Sequence, residues 1–399
     1  MFFKIEEVLY ALYHFPLALT SPFIGWYFFF GLSERDFMGS ALIIAIPYFF
    51  LIFSTGFFGR LSDKIGSRNL VLISLGTLSV SFLCYFFIQD RLLFFILYIG
   101  FNIIVSGFIP AFNRLMSFYD EEERAGIFGR LGMMASLGFL VGSVFATIAF
   151  VLNITGNSID TFRAMFPFAM IISLFAFISA FRLKETTSTS MIQANISYSN
   201  PNGSVSLKRN VIFRPVFILL IIIALINIST SIYVNFFSIY VQDELHQDMS
   251  FIALANSIAT LLGVFATYYI GEFVNVLKRK TFVLLATFLY TFFPLFIFLL
   301  NSPAVIFILY CLPYYAILFV LAPVIISEKS LESGRGQVMG LYTGSQYLGL
   351  MIGTMIGGIL ATINNIVRPN FIAGTIIGFC SILICLFFFK EASNDLQSI

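Results

Sequence analysis

Charge is what this chain has least of. Only 11% of its 399 residues are Asp, Glu, Lys or Arg, whereas a soluble globular domain carries nearer ~25%. So few charges cannot clothe a water-facing surface of this size, and the chain reads as an integral membrane protein. Cysteine is scarce too. Cys84, Cys311, Cys380 and Cys385 all stand inside apolar runs, where the thiol serves as a small packing group. No Cys/His spacing of a metal site occurs, so neither a metal nor a cofactor is expected. There is no G-x-x-x-x-G-K-[ST] stretch, which excludes a P-loop motor. No nucleophile–base pair stands out, so no catalytic residues and no enzyme activity are expected. The first apolar run is too long for the core of a signal peptide, and no cleaved leader is expected. A net charge of +2 gives no reason to expect nucleic acid.

What is abundant is apolar sequence, 59% of the chain, including 52 Phe. Most of that phenylalanine is expected to be lipid-facing bulk. A bilayer span needs about 20 mainly apolar residues. Twelve such runs are present, at 8–31, 38–58, 69–88, 92–113, 127–151, 162–181, 211–241, 251–274, 281–300, 304–326, 338–363 and 371–389. Pro16 and Pro22 should bend the first of them. Pro47, Pro110 and Pro313 fall inside the second, fourth and tenth. With both termini in the cytoplasm, 18 of the Lys and Arg residues fall on the cytoplasmic side and 4 outside. That asymmetry is the one expected of a multi-pass plasma-membrane protein. The longest polar interruption, 185–210, is rich in Ser, Thr and Asn and reads as a cytoplasmic linker. It divides the chain into a six-helix bundle at 1–184 and a second at 211–399.

Between the second and third runs lies Gly59-Arg60-Leu61-Ser62-Asp63-Lys64-Ile65-Gly66-Ser67-Arg68. It reads as a tight, charged turn with one acid, Asp63, among cations. Displaced by 212 residues, Gly59 and Asp63 fall on Gly271 and Asn275. Displaced by 211, Arg124 and Gly129 fall on Arg335 and Gly340, and Gly138 and Gly142 on Gly349 and Gly353. The two halves are therefore repeats of one another. Glycines spaced by four in the fifth and eleventh runs allow close backbone contact and are read as structural.

The turn resembles the loop between helices 2 and 3 of major facilitator superfamily (MFS) transporters, G-x-x-x-D-[RK]-x-G-x-[RK], on Gly59, Asp63, Lys64, Gly66 and Arg68. The resemblance implies an all-α membrane protein of twelve transmembrane helices in two six-helix pseudo-symmetric halves, an MFS fold. It implies alternating access, with substrate held between the halves near mid-membrane. It also implies that Asp63 latches the cytoplasmic side by pairing with Arg114, Arg124 or Arg130, or with the start of helix 11.

Polar groups at bilayer depth are costly, so each is a candidate. His14 either carries a proton or a substrate contact, or simply bonds a neighbouring carbonyl. Asn102 lies in helix 4, Asn227, Tyr233 and Asn235 in helix 7, Asn256 in helix 8, Tyr314 in helix 10 and Gln346 in helix 11. Amides and phenols of this kind hold hydroxylated or amide-bearing solutes by hydrogen bonds, or else join helices within lipid. No Asp or Glu is expected inside helices 1 and 7. That leaves a proton on His14, a sodium ion, or uncoupled facilitation. The expected partners are a small-molecule substrate and membrane lipid, and the expected state is a monomer. The expected function is a secondary transporter of a small organic solute, first an exporter of amphipathic compounds, alternatively an uptake carrier for a sugar, nucleoside or metabolite. A transporter-like receptor is the remaining class.

Overall fold

Proline decides where several of the long helices break. The structure, a computed structural model, describes residues 4–33, 35–117, 121–183, 209–273, 279–314, 316–318, 322, 325–326 and 335–389. Helix α1 (Ile5–Leu32) is interrupted by a 3-10 turn at Ser21–Phe23, where Pro22 can donate no backbone bond. It ends in a π-turn at Phe28–Leu32, closed by the Ser33 hydroxyl donating to the Phe28 carbonyl at 2.8 Å. Helix α4 runs in two pieces, Arg91–Val105 and Phe108–Ser117. The gap holds Ser106, the residue four before Pro110 whose carbonyl the proline ring displaces. In α10 the first piece, Pro303–Cys311, stops just before Pro313.

The remaining spans are α2 (Phe37–Ile65), α3 (Ser67–Phe87), α5 (Glu121–Leu152), α6 (Ser158–Ala180), α7 in the pieces Arg209–Val234 and Phe237–Asp243, α8 (Met249–Phe273), α9 (Arg279–Leu300), α11 (Arg335–Asn364) and α12 (Pro369–Phe388). Eleven helices among the described residues are long and apolar enough to cross a membrane, and a shorter apolar helix, Pro303–Leu318, makes twelve. We call the end of the bundle where the chain begins and where α6 connects to α7 the linker face, and the opposite end the far face.

The stretch read from sequence as a turn at 59–68 is mostly helix. α2 continues to Ile65, and the turn is Gly66 alone, at φ 88°. Nothing between Gly59 and Ile65 breaks a helix, and polar side chains are tolerated where a span emerges from lipid. At Gly66 the positive φ is what calls for glycine.

The halves pack by one scheme. α1 lies on α5 and α6, and α3 on α6; six helices later, α7 lies on α11 and α12, and α9 on α12. Between halves, α2 packs on α11 and α5 on α8, again a pair related by six. Glycine sets the closest of these contacts. Gly138 and Gly142 of α5 face the carbonyls of Ala11 and Phe15, and Gly349, Gly353 and Gly357 of α11 face those of Ala224, Ile228 and Ile232. A β-carbon on any of the five would overlap that oxygen. The sequence displacement linking the two sets is 213 residues on α1/α7 and 211 on α5/α11.

Phenylalanine divides between two surroundings, which corrects the expectation of lipid-facing bulk. Phe53, Phe57 and Phe87 are more than 60% exposed on the bundle surface. Phe94, Phe108, Phe112, Phe162 and Phe166 are fully buried in the N-terminal half, where ring pairs such as Phe162–Phe166, 5.1 Å between centroids, fill the space between helices.

Candidate functional site

The breaks in α1 and α7 meet across the two halves. α7 loses its helix at Asn235 and Phe236 without any proline. The Asn235 amide instead donates across to Thr354 of α11, at 2.5 Å, and Phe236 N–H falls back to the Tyr233 carbonyl. Gly25 of α1 lets the two irregular segments approach: a β-carbon there would lie 3.4 Å from the Asn235 carbonyl. At this junction is a cavity of about 80 Å³ with walls from both halves. Its polar lining is Ser21, Asn235, Ser238, Asn256 and Tyr310; Ile44 and Ile252 supply carbon. Among the described residues no Asp, Glu, Lys or Arg lines it. Asn256 and Tyr310 each lie seven residues inside their helices' far-face ends, roughly 10 Å deep.

Tyr310 donates its hydroxyl to Asn256 Oδ1 at 2.9 Å, and its ring is held by stacking on Phe237, 4.6 Å between centroids. Asn256 Nδ2 is buried with no hydrogen-bond partner among the described residues. A buried donor left unpaired costs about 1–3 kcal/mol, and a group able to accept from it would relieve that cost.

Beyond the cavity the halves are tied at the far face. Trp26 donates its indole N–H to Gln242, and Arg35 pairs with Asp243 at 2.6 Å. Glu244 beside them accepts from Val367 N–H at 2.5 Å; burial pushes its carboxyl above the usual value, against the pull of that bond. Gly132 of α5 and Gly340 and Gly344 of α11 face open space. Tyr48 and Tyr347 stack across the seam, 6.1 Å apart.

Of the candidates read from sequence, the cavity brings together Asn235 and Asn256. Asn102, Tyr233 and Tyr314 point elsewhere. Asn102 lines a second cavity inside the N-terminal half, while Tyr233 and Tyr314 pack with Phe293 inside the C-terminal half, at 5.9 and 4.9 Å. His14 donates from Nδ1 to the Tyr10 carbonyl at 2.7 Å, since a carbonyl can only accept. That leaves Nε2 as an acceptor, with the ring between Tyr10, Tyr13 and Phe139. Asn227, at the displaced position of His14, likewise donates to Ile223 O four residues back. Gln346 donates to the Tyr342 hydroxyl on its own helix, at 3.0 Å. Tyr310 was not singled out from sequence. Its spacing of four from Tyr314 suggests one face, but the break at Leu312–Pro313 sends the two rings to different places.

An acid does lie inside α1. The helix starts at Ile5, so Glu7 is within it, 5% exposed. Arg130 Nε donates to its carboxylate at 2.6 Å. Arg130 is thus engaged within its own half, and Arg68 donates to the Phe181 carbonyl at 2.7 Å; both were candidate partners or neighbours of Asp63. Lys64 is exposed. The side chains of Asp63, Arg114 and Arg124, and the surroundings of Gly59, lie outside the described residues.

A twelve-helix bundle of two like halves, with an uncharged polar cavity on the seam and one face tied shut, defines a membrane carrier. The chain matches the Major Facilitator Superfamily model over residues 8–330 and 219–398. It belongs to that superfamily and is a transporter of the multi-pass, alternating-access class. No curated protein matches it in sequence. Among solved structures it is similar to a D-xylose-proton symporter, with 15% identity, TM-score 0.77, and 97% of this chain and 96% of that one covered. It is also similar to the inward-open xylose transporter XylE from E. coli, at 14%, 0.72, 98% and 96%. A third is a POT family transporter in complex with a thioalcohol-conjugated peptide, at 16%, 0.73, 96% and 94%. At these identities the likeness is one of fold.

Proposed function

We propose that this carrier moves a small, uncharged organic solute through the seam cavity, with Asn256 and Tyr310 as its principal polar contacts and Asn235 beside them. The observation that carries the reading is the buried, unpaired amide nitrogen of Asn256 on a cavity without charged lining. The cavity is lined by both carbon and hydrogen-bonding groups, which favours an amphipathic solute and hence the exporter reading. The Asn256–Tyr310 pair also suits a hydroxyl, which favours uptake of a sugar, nucleoside or other metabolite. His14, with Nε2 free of its backbone bond, is the residue we assign to proton coupling; a sodium ion is the alternative. The linker face is taken as cytoplasmic from the 18 to 4 split of basic residues, in the plasma membrane and as a monomer. The halves are taken as 1–184 and 211–399, joined by the linker 185–210.

Flux of neutral sugars, nucleosides and amphipathic dyes into reconstituted vesicles tests this. Asn256→Leu should lower the rate about tenfold or more by removing the hydrogen bonds, and His14→Ala should abolish dependence on a pH gradient. Wild-type vesicles that move no neutral solute would end the reading. Full pH-gradient dependence in His14→Ala would remove the histidine from the coupling.

Alternating access is tested separately by labelling a cysteine placed at Ser238 in a variant lacking the four native thiols. Arg35→Ala with Asp243→Ala should raise its reaction with an impermeant maleimide from the far face. Asp63→Asn, the proposed inner latch, should instead raise reaction from the linker face. Unchanged labelling in Asp63→Asn would discard the latch.

A further inference from the structure

Ser21 lines two cavities at once: the one on the seam and a second of about 70 Å³ inside the N-terminal half. The second is walled by α1, α3, α4 and α6, and Ile24, Leu78, Phe82 and Phe166 are among its lining residues. Some of its polar groups are occupied within their own helices. Thr20 donates to the Pro16 carbonyl at 2.9 Å, and the Asn102 amide to Tyr98 O at 2.8 Å. Ser21, Ser81, Tyr85 and Tyr98 also line the wall, but carbon makes up most of it.

At the matching place the C-terminal half carries two tyrosines. The displacement of 213 that aligns α1 with α7 sets Tyr233 opposite Thr20, and the displacement of 212 sets Tyr314 opposite Asn102. Those two rings pack on Phe293, with Tyr290 against Tyr314 at 4.8 Å. One half places tyrosine where the other has Thr20 and Asn102 beside a cavity. Empty apolar volume weakens a folded bundle, since its lining atoms lose their dispersion contacts.

We propose that the N-terminal cavity is a second subsite for the transported solute, one that receives a short apolar arm while a polar head rests on Asn256 and Tyr310. The arm passes the 3-10 step at Ser21 and Pro22, where the two spaces adjoin. The ligand class is an uncharged amphipath with a hydroxyl- or amide-bearing head and an alkyl arm of a few carbons. This rests on the seam reading for the head; the arm is a separate claim.

The test is binding of methyl, ethyl, propyl and butyl β-D-glucoside to the full chain in nanodiscs, read by the fluorescence of Trp26, the chain's single tryptophan. It adjoins Gly25 of the seam cavity. Each added methylene should tighten binding by about fourfold. Thr20→Tyr, which installs the ring found opposite it in the C-terminal half, should leave methyl glucoside unchanged and abolish the gain along the series. Val105→Phe fills the same cavity from α4 and should act alike; thermal melts establish that either variant is folded. A wild-type series that binds without tightening overturns the arm and leaves the seam reading intact. A slope kept in both folded filling variants also overturns it, because it then reports partition into lipid. If no glucoside binds, the head assignment fails and the arm falls with it.

Discussion

Gly353→Ala should cost the protein its stability, although one methyl is all it adds. At that position a β-carbon would overlap the Ile228 carbonyl and the Ser231 hydroxyl, and would lie 2.9 Å from Ile228 Cα. None of the backbone atoms can swing aside, so α7 and α11 must separate. Overpacking of this kind costs about 3 kcal/mol, on the order of 10 °C in melting temperature for a bundle half. The separation would also lengthen the Ser231 hydroxyl bond to Gly349 O, already 3.3 Å, and the Asn235–Thr354 bond that shapes the cavity. Gly138→Ala should do the same to α1 and α5, through the Ala11 carbonyl. The control is on the same helix: Gly344 faces open space, and Gly344→Ala should be neutral or raise stability by up to ~1 kcal/mol through helix propensity. Thermal melts in detergent decide the matter. Equal melting temperatures for Gly344→Ala and Gly353→Ala would refute close packing as the reason for these glycines.

The repeat that makes this prediction specific was legible in the sequence, because glycine spacing survives where side-chain identity does not. The twelve spans were legible for a related reason: each must present about 20 apolar residues to lipid. Their ends were not. Hydropathy reports depth in the bilayer, whereas a helix continues into the polar boundary as long as nothing breaks it. Hence Glu7 falls inside α1, and Ser62, Asp63 and Lys64 inside α2. The interruption of α7 carries no local signal, since it depends on a bond from Asn235 to a residue 119 positions away. Tyr310 was hidden by a similar effect. Helical phase links it to Tyr314, but Pro313 resets that phase and only the folded chain shows which ring reaches the seam. Asn256 was visible as a polar residue at depth, yet only the folded chain shows its oxygen taken by Tyr310 and its nitrogen left without a described partner.

The buried ion pair at the linker face makes the other large prediction. Arg130→Ala would leave the Glu7 carboxylate, 6% exposed at its side chain, without its guanidinium partner; Lys4 N–H donates to it at 3.2 Å. Removing one member of a buried pair costs ~3–5 kcal/mol. Arg130 is itself 35% exposed, so water screens part of this and about 2–3 kcal/mol is the expected loss. Glu7→Gln keeps an oxygen for Arg130 and carries no charge to bury, so it should be milder. The double variant Glu7→Gln/Arg130→Ala should then recover most of the stability lost in Arg130→Ala, a coupling that a double-mutant cycle on melting temperature measures directly. Additive losses would mean that Arg130 acts through its aliphatic stem and not through its charge. The pair lies close to Gly132, which faces open space. If the N-terminal half is to rock as a unit about the seam, α1 and α5 must stay joined at the face that opens, and this ion pair is the described contact that joins them there.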